Sequence, residues 1–242
     1  MVDSIYKTVD IYPIYCIMPH GRYLSLKNSV FSVIDDSKVN HTTQPVKLFN
    51  KDKSAVTVSC EQLALDLEFI YCQRLQFLHE KDLAIYMNWV FDNEDQISSI
   101  RTHHKLMLEN NLFNKNISVR YVDELIRYGI FSDGFICQDE YIGEYTGIVH
   151  DISNSANPFS ISYPSLLGNH QIDASQYGNI IRFINHDSVP NCRFKHVLHN
   201  NFVHIICIAL KPIEINCQLT VDYGKSYWNV MKDKHQIIEI KL

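Results

Sequence analysis

The chain has 242 residues, 46% of them hydrophobic, which is enough for one large domain or for a domain with an appendage. Its formal net charge is -5 and it carries no basic block, which excludes a protein that grips nucleic acid mainly through the phosphates. No apolar run approaches the roughly 18 residues of a membrane-spanning helix, so we expect a soluble protein with no membrane partner.

Cysteine and histidine usage indicates where the protein works. The 7 cysteines are odd in number, none forms a Cys-x-x-Cys pair, and the N-terminus does not read as a signal peptide. These features predict a reducing, intracellular environment. The 12 histidines lack the spacings of zinc sites, so we expect no bound metal.

The chain begins with a pattern of short strands. Over residues 1–50, aromatic and β-branched residues partly alternate, and proline and glycine mark turns between the runs. The spacing then becomes helical. Ser59 and Gln62 stand as in a capping box, and apolar residues recur at helical intervals as far as Leu78. The sequence therefore predicts a first helix that ends near Leu78.

Two further helices are predicted before a linker. Asp82 can cap a helix that runs to Val90, and another spans about residues 95–108. We expect their apolar faces to pack on one another and on the next domain. The polar stretch 110–116 reads as a linker, so a mixed strand and helix region is predicted over residues 1–116.

From Ile117 the pattern changes to short apolar runs separated by turn residues, which is typical of a mainly β domain. The clearest run is Phe202–Ala209, predicted as a buried strand that ends before Pro212, because proline cannot donate to a sheet ladder. This domain is predicted over residues 117–228, with a C-terminal tail over 229–242. The expected fold class of the whole chain is α+β.

Three motifs stand in a fixed order in this second domain. The first is Glu144-Tyr145-Thr146-Gly147. The second runs from Asp173 to Asn191 and contains Arg182-Phe183-Ile184-Asn185-His186 and Pro190-Asn191. The third is Leu219-Thr220-Val221-Asp222-Tyr223-Gly224. Polar side chains that follow an apolar run are costly to bury without partners, so the central motif alone already suggests either a strand end or a site.

Together and in this order, the motifs resemble the SET-domain family of protein lysine methyltransferases. The resemblance covers about residues 118–228. It implies a mainly β SET domain with a pseudoknot, in which the chain around Tyr223 passes through a loop formed near Asn185. It also implies methyl transfer from S-adenosylmethionine to a neutral lysine amine, which leaves S-adenosylhomocysteine, with no metal. The expected substrate is a histone tail, and a mildly acidic surface is compatible with so cationic a partner.

The resemblance further implies roles for single residues. Tyr223 matches the catalytic tyrosine, and Tyr145 matches a second tyrosine that lines the lysine channel. The implied cofactor-binding residues are Arg127, Tyr128, Gly129, Arg182, Phe183, Asn185, His186, Tyr223 and Trp228. The implied channel residues are Tyr145, Val221 and Tyr227. Because valine has no hydroxyl that could hold a blocking water, Val221 favours di- or trimethylation.

The sequence departs from the family pattern at two places. Arg127 replaces the first glycine of a Gly-x-Gly pair, so we expect a less permissive backbone there. Its guanidinium either meets the cofactor carboxylate or is a solvated surface group. The zinc-binding cysteine cluster of many members is also missing, since no cysteine follows Cys217. The tail, with Tyr227 and Trp228, is therefore expected to close the channel.

Two other functions remain open. One is methylation of a non-histone protein, such as a ribosomal or translation protein. The other is a catalytically silent SET-like module that binds a peptide. Retention of Tyr223, Asn185 and His186 favours the enzyme, whereas Arg127 favours the silent module. The Asn-, Ile- and Lys-rich composition and the unfamiliar helical leader would suit a bacterial or viral protein that acts on chromatin in a host nucleus.

Overall fold

The computed structural model describes residues 14–18, 22–27, 30–34, 44–77, 97–151, 157–164, 170–200, 202–225 and 227–228. The strands are β1 (Ile14–Met18), β2 (Arg22–Lys27), β3 (Val30–Ile34), β4 (Val46–Phe49), β5 (Ala55–Val58), β6 (Ile70–Tyr71), β7 (Gln76–Phe77), β8 (Ile117–Tyr121), β9 (Tyr128–Ser132), β10 (Tyr141–Glu144), β11 (Ile148–Asp151), β12 (Ser160–Tyr163), β13 (His170–Asp173), β14 (Tyr177–Gly178), β15 (Asn185–His186), β16 (Cys192–His199), β17 (Phe202–Ala209) and β18 (Thr220–Val221). The helices within these ranges are α1 (Cys60–Asp66) and α2 (Thr102–Glu109), and Ile180–Phe183 form a 3₁₀ turn. This mainly β architecture with few helices confirms the predicted fold class.

Strands from both sides of residue 116 share sheets. The larger sheets have the orders β5-β4-β8-β9, β10-β17-β16 and β12-β13-β11-β7-β1-β2-β3, and two parallel pairs, β14-β6 and β15-β18, complete the set. β4 runs parallel to β8, and β7 runs parallel to β11. The division into domains at residue 116 stays a prediction, but the segments on its two sides are joined by backbone hydrogen bonds.

The buried strand predicted over Phe202–Ala209 is confirmed as β17. It pairs with β10 on one side and with β16 on the other. Ile205 and Cys207 are fully buried in it. Because β10 ends at Glu144, this pairing carries the first sequence motif into the core.

The predicted cap at Ser59 is confirmed, since its hydroxyl oxygen accepts the Gln62 N–H at 3.1 Å. The predicted extension to Leu78 is wrong beyond Asp66. Glu68 adopts a φ of 60°, and the Phe69 N–H donates to the Ala64 carbonyl at 2.9 Å. This hydrogen bond and the left-handed Glu68 together form a Schellman motif, which ends the helix.

Tertiary pairing explains why the helical spacing beyond residue 66 does not make a helix. The Ile70 N–H donates to the Gln176 carbonyl at 2.8 Å, and Ile70–Tyr71 pair in parallel with β14. Such long-range hydrogen bonds override a local helical preference. The helix predicted over residues 95–108 is also wrong at its start, because α2 begins at Thr102 after an extended Arg101.

Two predictions lie outside the described residues, the helix over residues 82–90 and the tail over 229–242. Neither described helix has the length and apolar character needed to cross a bilayer.

The Ser59 cap can be tested by stability. Replacing Ser59 with alanine should lower the free energy of unfolding by about 1 kcal/mol, because one N–H of the first turn loses its acceptor. Replacing it with aspartate, which also accepts that bond, should change stability by only a few tenths of that amount. Urea denaturation measures both. Equal losses for the two variants would show that the cap does not stabilise α1.

Candidate functional site

The second and third sequence motifs meet in a short parallel pair of strands. Asn185 lies opposite Thr220 and His186 opposite Val221. Asn191 holds the same junction, because its side chain donates to the backbone of residue 218 at 2.8 Å and accepts the Thr220 N–H at 2.9 Å. This is the crossing of segments that the resemblance implies, and it brings residues far apart in the sequence into one site.

Tyr223 is fixed just beyond this crossing. Its hydroxyl donates to the Ile184 carbonyl at 2.8 Å, and its own N–H donates to His186 Nδ1 at 3.1 Å. The ring packs against Tyr227 with centroids 4.6 Å apart. Burial raises the pKa of Tyr223 above its ordinary value, so the phenol stays protonated at neutral pH. The hydroxyl is therefore a fixed donor and acceptor, not a base.

Tyr145 approaches the same place from β10. Its hydroxyl donates to the Phe159 carbonyl at 2.6 Å, and its ring meets the Phe194 ring edge-on at 5.4 Å. Burial raises the pKa of Tyr145 well above its ordinary value, and the neighbouring Tyr223 adds to this effect. Tyr145 is thus a second neutral phenol held on a backbone carbonyl.

The two tyrosines line one space, which we call the tyrosine pocket. It encloses about 450 Å³, including the part continuous with solvent. Its walls are Tyr145, Pro158, Ser160, Ile161, Arg182, Ile184, Phe194, Asp222, Tyr223 and Tyr227. The structure therefore brings together Tyr145 and Tyr227, which the resemblance assigns to the lysine channel, and Tyr223, the implied catalytic tyrosine.

Val221, the remaining channel residue, is not at the pocket. It is buried in the core, where β18 ends, and only its neighbours Asp222 and Tyr223 reach the pocket wall. The preference for di- or trimethylation stays a prediction. Sequence reasoning also missed Phe194 and residues 158–161, which no motif marks and which only the pairing of distant strands brings here.

Arg182 forms part of the pocket wall and is buried. Its Nη2 donates to the Ser175 carbonyl at 2.9 Å. The guanidinium carbon lies 4.0 Å from the Phe159 ring centroid and 4.5 Å from that of Phe69. Burial lowers the pKa of Arg182 to about 10, so the group is still a cation at neutral pH.

A second group of predicted residues, which we call the Asn185 group, consists of Asn185, Tyr128, Gly129 and Phe183. The side-chain amide of Asn185 donates to the Tyr128 carbonyl at 3.1 Å. A Cβ added to Gly129 would stand 2.9 Å from that amide nitrogen and 2.5 Å from Gln218 Nε2. Both side-chain amides would have to shift to admit a Cβ at 129, because they approach its backbone this closely. Phe183 packs against Tyr128, with the two ring centroids 6.1 Å apart.

Arg127 has an unusual backbone conformation. It adopts a φ of 66°, so the backbone keeps the left-handed conformation that suits glycine, although arginine is less permissive there. The turn before it enforces this shape, because the Arg127 N–H donates to the Asp123 carbonyl at 2.8 Å and the Val122 N–H donates to the Arg127 carbonyl at 2.7 Å. The Arg127 side chain is exposed.

Trp228 is the last residue of the site along the chain, and its ring is partly exposed to solvent. It is 42% exposed, and its centroid lies 4.9 Å from that of His186 and 5.1 Å from that of Tyr227. The His186 ring is in turn 5.4 Å from that of Tyr223. An aromatic row thus joins the tyrosine pocket to the Asn185 group. Among the described residues, no cluster of three or more His, Cys, Asp or Glu side chains is placed to hold a metal ion.

A family model described as the SET domain matches residues 127–224, the stretch that contains this crossing and both tyrosines. This stretch of the chain is a SET domain. Relatives include the histone-lysine N-methyltransferase MEDEA of Arabidopsis thaliana, which is 34% identical over 103 residues. The H3 lysine-4 specific histone-lysine N-methyltransferase of Chaetomium globosum is 30% identical over 145 residues.

These matches cover different shares of each protein. The SET-domain chain is covered over 40% and 56% of its length, but it spans only 15% of MEDEA and 14% of the Chaetomium globosum protein. A solved structure, the ATXR5 SET domain in complex with histone H3 di-methylated on R26, superposes with a TM-score of 0.55 at 18% identity. It covers 68% of this chain and 84% of that one, and at this identity it supports the SET fold alone.

Proposed function

We propose that this protein is an S-adenosylmethionine-dependent protein-lysine N-methyltransferase. The observation that carries the proposal is the fixed Tyr223 hydroxyl. It is bonded to the Ile184 carbonyl and shares a pocket with the Tyr145 hydroxyl, at the point where the crossing brings up Asn185 and His186. Two neutral phenols beside one narrow pocket suit the alignment of an amine for methyl transfer.

The Asn185 group fits a cofactor with an amino-acid end and a planar base. Gly129 leaves its backbone open to close approach, Asn185 supplies a polar amide, and Trp228 presents a partly exposed aromatic face. Asn185, Tyr128, Gly129, His186 and Trp228 would hold the cofactor. When bound, S-adenosylmethionine supplies an electrophilic methyl group.

The tyrosine pocket suits a lysine side chain that enters as an amine. Free lysine has a pKa of about 10.4, so it must lose a proton before it can act as a nucleophile. Apolar walls such as Ile184 and Phe194 disfavour the ammonium form. The Tyr223 hydroxyl donates a hydrogen bond to the Ile184 carbonyl, which leaves its oxygen lone pairs free to orient the neutral amine.

A histone tail is the substrate class that we propose. MEDEA and the Chaetomium globosum relative are named as histone-lysine N-methyltransferases, and the ATXR5 structure holds a histone H3 peptide. The pocket wall also contains the Asp222 carboxylate, 63% exposed, on a chain of net charge -5, which suits a cationic tail. Action on a histone would take place in a nucleus.

Substrate class can be decided with one labelling experiment. The purified protein is incubated with methyl-labelled S-adenosylmethionine and core histones in one reaction, and with a cell lysate in another. Label on a histone band supports the proposal. Label that appears only on other proteins keeps the methyltransferase and removes the histone assignment in favour of a non-histone substrate.

Gly129→Ala tests the cofactor site. The added Cβ would displace the amide groups of Asn185 and Gln218, so the Kd for S-adenosylhomocysteine should rise more than about tenfold, as expected for a cost of about 1–3 kcal/mol. Gly134→Ala is the matched control, since the atoms nearest to its added Cβ would be those of the Asn116 side-chain amide, at 3.0 Å or more. Calorimetry measures both. An unchanged Kd for Gly129→Ala would place the cofactor elsewhere.

A further inference from the structure

The Arg182 guanidinium is a buried cation without a direct counter-ion. Among the described residues, no carboxylate lies within ion-pair distance of it, and its Nε has no hydrogen-bond partner. In the described part of the chain, only the Ser175 carbonyl accepts a hydrogen bond from it, at 2.9 Å. Three aromatic faces, those of Phe159, Phe69 and Phe183, hold the positive charge in place through cation–π contact.

Few other charges of the residues that the structure describes face this guanidinium. The pocket wall contributes the phenols of Tyr145, Tyr223 and Tyr227, which are neutral at physiological pH, and the largely exposed Asp222 carboxylate. Asp173 is the other acidic group that influences Arg182, but it accepts the Ser175 N–H at 2.8 Å and lies 3.5 Å from His150. The buried part of the pocket is therefore electropositive.

Such a fixed charge affects whatever enters the pocket. The stacked and hydrogen-bonded Arg182 cannot turn away from an incoming cation, and in a poorly hydrated pocket two like charges repel more strongly than in water. An ammonium group is therefore disfavoured beside it, whereas a neutral amine is not.

We propose that Arg182 is a positioning and selectivity residue whose positive charge makes the substrate lysine bind as the neutral amine. The lysine ammonium releases its proton to water before the amine reaches the inner pocket. An arginine side chain, which stays charged, is rejected by the same repulsion. This inference rests on the proposed methyl transfer and adds the group that sets its pH range.

The test is the pH dependence of the turnover number, with recombinant histone H3 as methyl acceptor and saturating cofactor. In the wild type, the midpoint of the rise with pH should lie well below the value of about 10.4 for free lysine. Arg182→Met, which keeps the length and removes the charge, should move the midpoint up by about one pH unit and lower the rate at pH 7 about tenfold. Arg182→Lys, which keeps the charge, should restore the wild-type midpoint even if its maximal rate is lower.

Separate outcomes distinguish this inference from the proposed function. A folded Arg182→Met protein with the wild-type midpoint would overturn the role of Arg182 and leave the methyltransferase intact. If that variant does not fold, as judged by thermal melting, a wild-type midpoint near that of free lysine would overturn it as well. Absence of methyl transfer by the wild type at every pH, to histone H3 and to a lysate, would overturn the proposed function itself.

Discussion

Tyr223→Phe is expected to lower the rate of methyl transfer at least about a hundredfold, the loss typical of removing one preorganised polar group from an active site. Only the hydroxyl is deleted, so the ring should stay between His186 and Tyr227. The affinity for S-adenosylhomocysteine should therefore change by less than about threefold, which corresponds to about 0.6 kcal/mol. Single-turnover kinetics and calorimetry measure the two quantities.

Tyr163→Phe is a matched control for this experiment. Its buried hydroxyl also donates to a backbone carbonyl, that of Val203, at 2.8 Å, but Tyr163 does not line the tyrosine pocket. The two variants should lose similar stability, and only Tyr223→Phe should lose activity. Equal rates for the two would remove Tyr223 from catalysis. Equal losses of cofactor affinity and rate in Tyr223→Phe would mean that the hydroxyl only maintains the shape of the site.

Gly147→Ala is expected to lower the free energy of unfolding by about 2–3 kcal/mol, the range for forcing an extra group into a packed site. A Cβ at 147 would stand 2.4 Å from the Asp173 carbonyl oxygen and 2.9 Å from its carbon. Asp173 cannot retreat, because its strand pairs with β11 on one side and with β12 on the other. This contact explains the glycine of the first sequence motif, and urea denaturation measures the loss.

Gly224→Ala gives the comparison for a glycine with free space. Gly224 has a φ of 78° and no atom within 4 Å of an added Cβ. Its replacement should cost about 1–2 kcal/mol from the left-handed backbone alone. A smaller loss at 147 than at 224 would contradict the close packing of Gly147 against Asp173.

The order of the motifs was enough to anticipate the crossing and most of the site. Asn185, His186 and Tyr223 are close in space because β15 and β18 pair, and Tyr145 joins them because β10 pairs with the buried β17. The helix start at Ser59 could also be anticipated, since capping depends only on nearby residues. Features set by local chemistry or by a long motif were therefore readable from the sequence.

Features set by long-range pairing could not be read from the sequence. The helix that begins at Cys60 stops at Asp66 because Glu68 takes a left-handed conformation and Ile70–Tyr71 join β14, and no local pattern announces either event. The place of Val221 in the core, with Asp222 and Tyr223 at the pocket, also depends on where its strand ends. The chain leaves its strand after Val221 and turns at Asp222, whose carboxylate accepts the Gly224 N–H at 2.8 Å.

Arg127 shows how a substitution can keep a backbone shape. The residue stands where the family has glycine, yet its φ of 66° is imposed by hydrogen bonds to Asp123 and Val122. A non-glycine residue there costs about 1–2 kcal/mol, which the surrounding turn must offset. The departure that favoured a silent module therefore leaves the backbone at Tyr128 and Gly129 in a glycine-like path.

The most direct measurement is the chemical identity of a methylated product. The protein is incubated with methyl-labelled S-adenosylmethionine and histone H3, and the labelled protein is hydrolysed to amino acids and separated. Label recovered in methylated lysine, and absent with Tyr223→Phe, is the expected result. Measurable cofactor binding with no label in histone H3 or in any lysate protein, or label recovered in a residue other than lysine, would contradict a lysine methyltransferase.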